Sequence, residues 1–234
     1  MPFDSFRVRA MLVLILACML VTLVLGGIWL FTTKTYIEDD IYSMDNKDAR
    51  QMAESVNMYL NDITSDTVII ANNPDTVTML QKNDTASMAH VVDALKSSNP
   101  QPDVVVIADG EGYVLYGSKP ANLSSIKANS WYDDAASSKG PFITGLYDSP
   151  ALNEYAFAII TPIKNNDTII GRIMVVFTLV NFQDSLKEHN LDPQNNIIIV
   201  DRNGNVISSN DLTSVNRNTD LSRYSPVQKV IRGE

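Results

Sequence analysis

The chain has 234 residues, 45% of them hydrophobic and 19% charged, which excludes a wholly disordered chain. Its formal net charge of −9 argues against a nucleic-acid partner, which would require a basic face to neutralise phosphates. The one cysteine, Cys18, lies in a hydrophobic segment, so no intrachain disulfide and no cysteine chemistry elsewhere is available.

Residues 1–9 carry Arg7 and Arg9 and precede Ala10 to Phe31, a run of 22 residues without a charge. As a helix this run reaches about 33 Å, enough to cross a bilayer's hydrocarbon layer. Glu38, Asp39 and Asp40 follow it, so the positive-inside rule predicts a single-pass cell-membrane protein with a cytoplasmic N-terminus and an extracytoplasmic remainder. A cleaved signal peptide has a shorter core and a small-residue exit, which Ile28 to Phe31 do not offer. A lipid anchor at Cys18 fits poorly, because 13 more uncharged residues follow it.

Residues 34–72 read as a stalk helix. Ile41, Met44, Met52, Val56, Tyr59, Ile63 and Ile70 recur near multiples of 3.6, and Asn72-Asn73-Pro74 ends the pattern. This stripe is expected to pack on a sheet, on a second copy of the chain as a homodimer, or on both. From 77 to 96 the pattern is again helical, with a break expected near Asn83-Asp84.

Residues 104–118, VVVIADGEGYVLYGS, then read as a β-hairpin: branched apolar strands flank an Asp-x-x-Gly turn. Residues 196–209, NIIIVDRNGNVISS, repeat the phrase, with Asp109 and Asp201, and Gly112 and Gly204, each 92 residues apart. Between the copies lie three further strand patterns, at Pro141 to Tyr147, Glu154 to Pro162 and Ile169 to Leu179, and a helix start at Ser130 to Asp134. The expected architecture is α+β: residues 73–180 form a module with a five-stranded antiparallel sheet flanked by helices. Residues 181–234 then supply an amphipathic helix, Asn181 to Asn190, and the start of a second, similar module. Too few residues follow the second hairpin for three more strands, so that module is expected to be incomplete.

The order of several pieces resembles the extracytoplasmic double Cache (PAS-like) sensor domain. They are Trp131-Tyr132 opening a helix with Ala135 and Ala136, the strand Phe142 to Tyr147, and the strand Tyr155 to Pro162 with its Thr161-Pro162-Ile163 end. Ile170-Gly171-Arg172-Ile173 and the turn Asp201-Arg202-Asn203-Gly204 complete the series, and the resemblance covers residues 34–234. It implies a membrane-distal module that binds a small molecule, and an output of the chemotaxis, kinase or cyclic-dinucleotide kind. It also implies ligand contact at Trp131 and Tyr132, with Asp134 or Asp148 available to an ammonium group and Tyr147 as a further wall. In the amino-acid-binding branch an arginine two residues before the tryptophan clamps the carboxylate. Asn129 stands there, so an amine, or another small polar metabolite held by neutral groups, fits better.

Trp131, Tyr132 and Tyr147 have an alternative as core residues, Asp134 as a helix-dipole partner and Asp148 as a turn former. His90 and His189 lack metal-spaced partners, and residues 201–205 have the glycine of a calcium loop misplaced, so no metal or cofactor is expected. Asn83, Asn122 and Asn166 open glycosylation sequons that chance explains in so asparagine-rich a chain. No nucleophile or acid–base set is evident, so an enzyme is not expected. The rival to a sensor is an anchored scaffold domain without a ligand.

Overall fold

The structure is a computed structural model and describes residues 19, 47, 49–118, 123–149, 152–188, 198–209 and 219–232. It divides into two compact units, Met1–Gln51 and Met52–Glu234. In the first unit residues 19, 47 and 49–51 are described, and all are helical and exposed. No helix among the described residues is long and apolar enough to cross a membrane. The expected span 10–31 lies outside them except for Met19, as do most of residues 34–48.

The second unit opens with α1, helical through residues 52–71. Asn73 then caps α2 (Pro74–Gln81) by accepting the Asp75 N–H at 2.9 Å, and proline occupies the first turn, where its missing donor costs nothing. The break expected near Asn83-Asp84 is present. Asn83 takes a left-handed φ of 52°, and Asp84 caps α3 (Thr85–Ser98) through the Ser87 N–H.

The sheet is antiparallel throughout and has six strands rather than the expected five. These are β1 (Val104–Asp109), β2 (Val114–Gly117), β3 (Phe142–Ile143), β4 (Tyr147–Ser149), β5 (Glu154–Asn165) and β6 (Thr168–Thr178). Their order is β2-β1-β6-β5-β3, with β4 also paired to β5. The stretch read as one strand, Pro141 to Tyr147, is interrupted at Thr144, whose hydroxyl accepts the Ala158 N–H at 2.9 Å. Each half pairs with a different part of β5, which is 12 residues long and offers room for both.

Strand alternation gives the sheet two apolar faces. On one, Val105, Ile107, Phe157, Ile159, Ile173, Val175 and Phe177 pack against α1, α2, α3 and α5 (Leu179–Glu188). Ile63 of α1 is buried there, with Val56, Tyr59 and Ile70 half-buried, so the stalk stripe does pack on the sheet. A Thr67–Thr161 hydroxyl hydrogen bond of 2.6 Å ties α1 to β5, and Phe182 of α5 meets Phe157 edge-to-face at 4.9 Å.

The second hairpin comprises β7 (Ile198–Val200) and β8 (Val206–Ser209), and α6 (Ser225–Arg232) follows it. Its turn repeats the first in detail. Asp109 Oδ1 accepts the N–H groups of Glu111 and Tyr113 at 2.9 and 2.8 Å, and Asp201 Oδ1 those of Asn203 and Asn205 at 2.8 and 2.9 Å. Gly112 and Gly204 sit at φ values of 90° and 88°, a conformation that L side chains adopt rarely. A bulge precedes each turn, at Ile107/Ala108 and Ile199/Val200.

Candidate functional site

The other face of the sheet is built differently. Val104, Val106 and Ala108 of β1, Ala156, Ala158 and Ile160 of β5, and Met174 and Val176 of β6 point to it. Three of these are alanines, and short side chains leave depth above the strands. The cover is the irregular segment 123–131, with Ile126 and Trp131 buried, followed by α4 (Tyr132–Ser137), with Ala135 buried, and then β4.

A pocket lies beneath this cover. Its floor is Val104, Val106, Met174 and Val176, and Leu123 and Leu152 wall it. Asn129, Tyr147 and Ser149 supply its polar atoms, all on neutral groups. About 280 Å³ is free of atoms, counting solvent at the mouth, and about 10 Å³ of that admits the centre of a water molecule. The cavity at rest therefore holds roughly one water, well below the several hundred Å³ of a ligand-filled site. A ligand has to displace its walls, and Leu123, Asn129 and Leu152, half-buried at the cover, are the lining side chains with solvent beside them.

The residues singled out in the sequence fall into two groups. Tyr147 lines the pocket and is 8% exposed, and burial pushes its phenol pKa above the ordinary value, opposed by a hydrogen bond with Ser149. Trp131 meets the Tyr147 ring edge-to-face at 5.5 Å, is 5% exposed, and has a buried indole N–H without an acceptor. Trp131 is thus a member of the same apolar cluster, one ring back from the pocket lining.

Tyr132, Asp134 and Asp148 lie elsewhere. Tyr132 donates its hydroxyl to the Glu111 carbonyl at 2.9 Å and packs across Gly112, holding α4 to the first hairpin. Asp134 is exposed in the first turn of α4, where a negative charge suits the helix dipole. Asp148 is exposed on β4 opposite Tyr155, with its neighbours Tyr147 and Ser149 turned inward. His90 is exposed on α3, while His189 lies outside the described residues. Among the described residues no cluster of His, Cys, Asp and Glu could hold a metal ion.

Sequence reasoning passed over Leu123, Ser149, Leu152 and the four floor residues. The floor was readable in principle, since 104, 106, 174 and 176 share one face by strand alternation. It also passed over Arg172. This guanidinium is 3% exposed, donates to the carbonyls of Gly110 at 3.0 Å and Ala136 at 3.4 Å, and lies 5.9 Å from the Tyr132 ring centre. It ties the last turn of α4 to the β1–β2 turn and fixes the cover of the pocket to the sheet.

On the opposite side of β4 the second hairpin touches the first sheet. Asp201 Oδ2 accepts the Leu146 N–H at 2.9 Å, and Arg202 donates to the Ile143 carbonyl at 2.6 Å. Arg202 also stands 5.4 Å over the Phe142 ring. Leu146 immediately precedes Tyr147, so one short segment borders both the pocket and the second hairpin.

Comparison with known proteins agrees with this layout. The family model of the Cache domain (dCache) matches residues 32–234. No curated protein matches the chain. Among solved structures, the ligand-binding domain of the Pseudomonas fluorescens chemoreceptor CtaA in complex with L-isoleucine is similar at 18% identity and a TM-score of 0.62, over 80% of this chain and 76% of that one. That of the Campylobacter jejuni chemoreceptor Tlp3 in complex with L-valine is similar at 19% identity and a TM-score of 0.58, over 80% and 77%. That of the Pseudomonas aeruginosa PAO1 amino acid chemoreceptor PctB in complex with L-Arg gives 16% and 0.61, over 80% and 78%. At these identities the likeness is one of fold.

Proposed function

The chain belongs to the Cache domain family, and on that premise we propose that it is the extracytoplasmic small-molecule-sensing head of a transmembrane receptor. A chemotaxis transducer is the output that its fold neighbours favour, with a sensor kinase or diguanylate cyclase as other outputs the same head can serve. Residues 10–31 anchor it, 34–72 form the stalk, 73–180 the membrane-distal module and 181–234 the linker helix and membrane-proximal part. The observation that carries the reading is the pocket between the sheet and its cover, with an apolar floor and neutral polar groups at one end. Trp131 and Tyr147 shape it, Tyr132 secures its cover, and Asp134 and Asp148 act at most from its rim.

Ligand entry would spread Leu123 and Leu152 and shift β4. The Leu146–Asp201 and Ile143–Arg202 bonds would carry that shift to the second hairpin. Such a switch is limited by the ligand's differential affinity for the two arrangements. Met58 and Ile69 are exposed on α1, 11 residues or about three turns apart, and form the surface through which the stalk would pair with a second copy.

The small free volume favours the rival reading, an anchored scaffold module with no ligand. A thermal-shift screen of the full chain in lipid nanodiscs, against libraries of small amides, alcohols, amines, amino acids and carboxylates, separates the two. The sensing reading requires hits that a Leu152→Phe variant loses. Hits retained by that variant, or none, support the scaffold.

A further inference from the structure

Resting on the sensing assignment, we infer that the pocket takes an uncharged ligand, a compact apolar body bearing one hydrogen-bonding group, and rejects amino-acid zwitterions, amines and carboxylates. Six of its nine lining side chains are Val, Leu or Met, and the other three are an amide, a phenol and a hydroxyl. The phenol stays neutral, because burial raises its pKa. Among the described residues no ionised side chain reaches the lining.

An ion entering this slot would surrender its hydration and find no opposite charge, and the two losses do not offset each other. The charged side chains of β4, α4 and the β6 strand beneath the cover are otherwise placed. Asp134 and Asp148 are exposed and outside the lining, and Arg172 is committed to the Gly110 and Ala136 carbonyls. A neutral group loses much less, and polar capacity is waiting for it. The Asn129 side chain donates to the Ile126 carbonyl at 2.9 Å, which leaves its oxygen turned to other partners. The Tyr147 phenol and the Ser149 hydroxyl, also on the lining, can each donate and accept. A small amide, ketone or alcohol can use such groups and lay its aliphatic part on Val104, Val106, Met174 and Val176.

The test holds the carbon skeleton constant and varies the charge. Full-length chain in lipid nanodiscs is titrated with isobutyramide, isobutyrate, isobutylammonium and L-valine, monitoring the Tm and the emission of Trp131 in a Trp29→Phe background. These are the two tryptophans in the chain. Isobutyramide is expected to raise the Tm by about 5–10 °C at a hundredfold excess over Kd and to shift the emission, with both effects absent from Leu152→Phe. The three charged probes are expected to do neither. If a charged probe stabilises the chain and Leu152→Phe abolishes the effect, the pocket senses but the uncharged-ligand inference is overturned. If no probe acts, or Leu152→Phe leaves every response intact, the sensing assignment itself fails and the inference falls with it.

Discussion

Three residues around the pocket decide its chemistry, and each can be questioned alone. Arg172 donates two charge-assisted hydrogen bonds to main-chain carbonyls from a buried position, so its removal strands both acceptors. Arg172→Met should cost about 2–3 kcal/mol in urea unfolding, and Arg172→Lys most of the same, because an ammonium lacks the fork that spans both carbonyls. Tyr147 gives a pH signature. Its folded-state pKa lies above its unfolded value of about 10, so the neutral phenol's contribution is complete below that pH and is lost as pH rises toward the folded value. Urea midpoints at pH 8 and 10.5 should therefore fall more for the native chain than for Tyr147→Phe. Equal falls would mean that the phenol is hydrated. Asn129 sets the sign of the ligand. Asn129→Arg places a guanidinium fork at the pocket wall and should create a Tm response to isobutyrate that the native chain lacks.

The two hairpins show what one sequence phrase encodes. Asp-x-x-Gly fixes the turn because the aspartate accepts from two backbone N–H groups and the glycine takes a positive φ, and both copies do this. Substitution by alanine meets a further obstacle in each copy. A Cβ at Gly112 would come within 2.7 Å of the Tyr132 ring, and one at Gly204 within 2.6 Å of the Ser222 backbone. Gly112→Ala should loosen α4, seen as faster amide exchange at Tyr132 and Ala135, and leave the second hairpin unchanged.

The copies differ in one respect the phrase cannot reveal. Asp109 serves its own turn, whereas Asp201 also receives the Leu146 N–H from the β3–β4 connection, 55 residues earlier in the chain. Gly145 permits that approach, since a Cβ there would lie 3.0 Å from the Asn203 amide. Gly145→Val together with Arg202→Ala should accelerate exchange at Leu146 and across residues 198–209 while protection in β1 and β6 persists. Uniform loss of protection would mean that the contact is no separate joint.

Long regular elements were legible from the sequence, as the stripe Val56, Tyr59, Ile63, Ile70 and the run in β6 attest, because burial on one face leaves a period. The β3–β4 interruption was not, since it depends on the Thr144 hydroxyl meeting a backbone N–H on β5, a contact of distant residues. The site was legible in part for the same reason. Trp131 and Tyr147 stand out by size, but which of Asp134, Asp148, Asn129 and Ser149 faces inward is set by the pleat of β4 and the turn into α4.

At the scale of the whole molecule, the proposed membrane segment and the proposed sensing head make separate claims. Topology is open to a labelling test, because Cys18 is the one native cysteine and lies within the apolar run. Ser65 is exposed on α1, so a Cys18→Ser, Ser65→Cys chain in intact cells should react with a membrane-impermeant maleimide. Labelling only after lysis would place the head in the cytoplasm.

The central claim is that the face of the sheet carrying Val104, Val106, Met174 and Val176 receives a small molecule while the opposite face is structural core. Methyl NMR of the full chain in nanodiscs, titrated with isobutyramide, tests it most directly. The account predicts shifts concentrated at the methyl groups of Leu123, Leu152, Met174 and Val176, with Ile63, Ile107 and Ile173 on the other face unmoved. Shifts spread over both faces, or none at saturating isobutyramide, would contradict it.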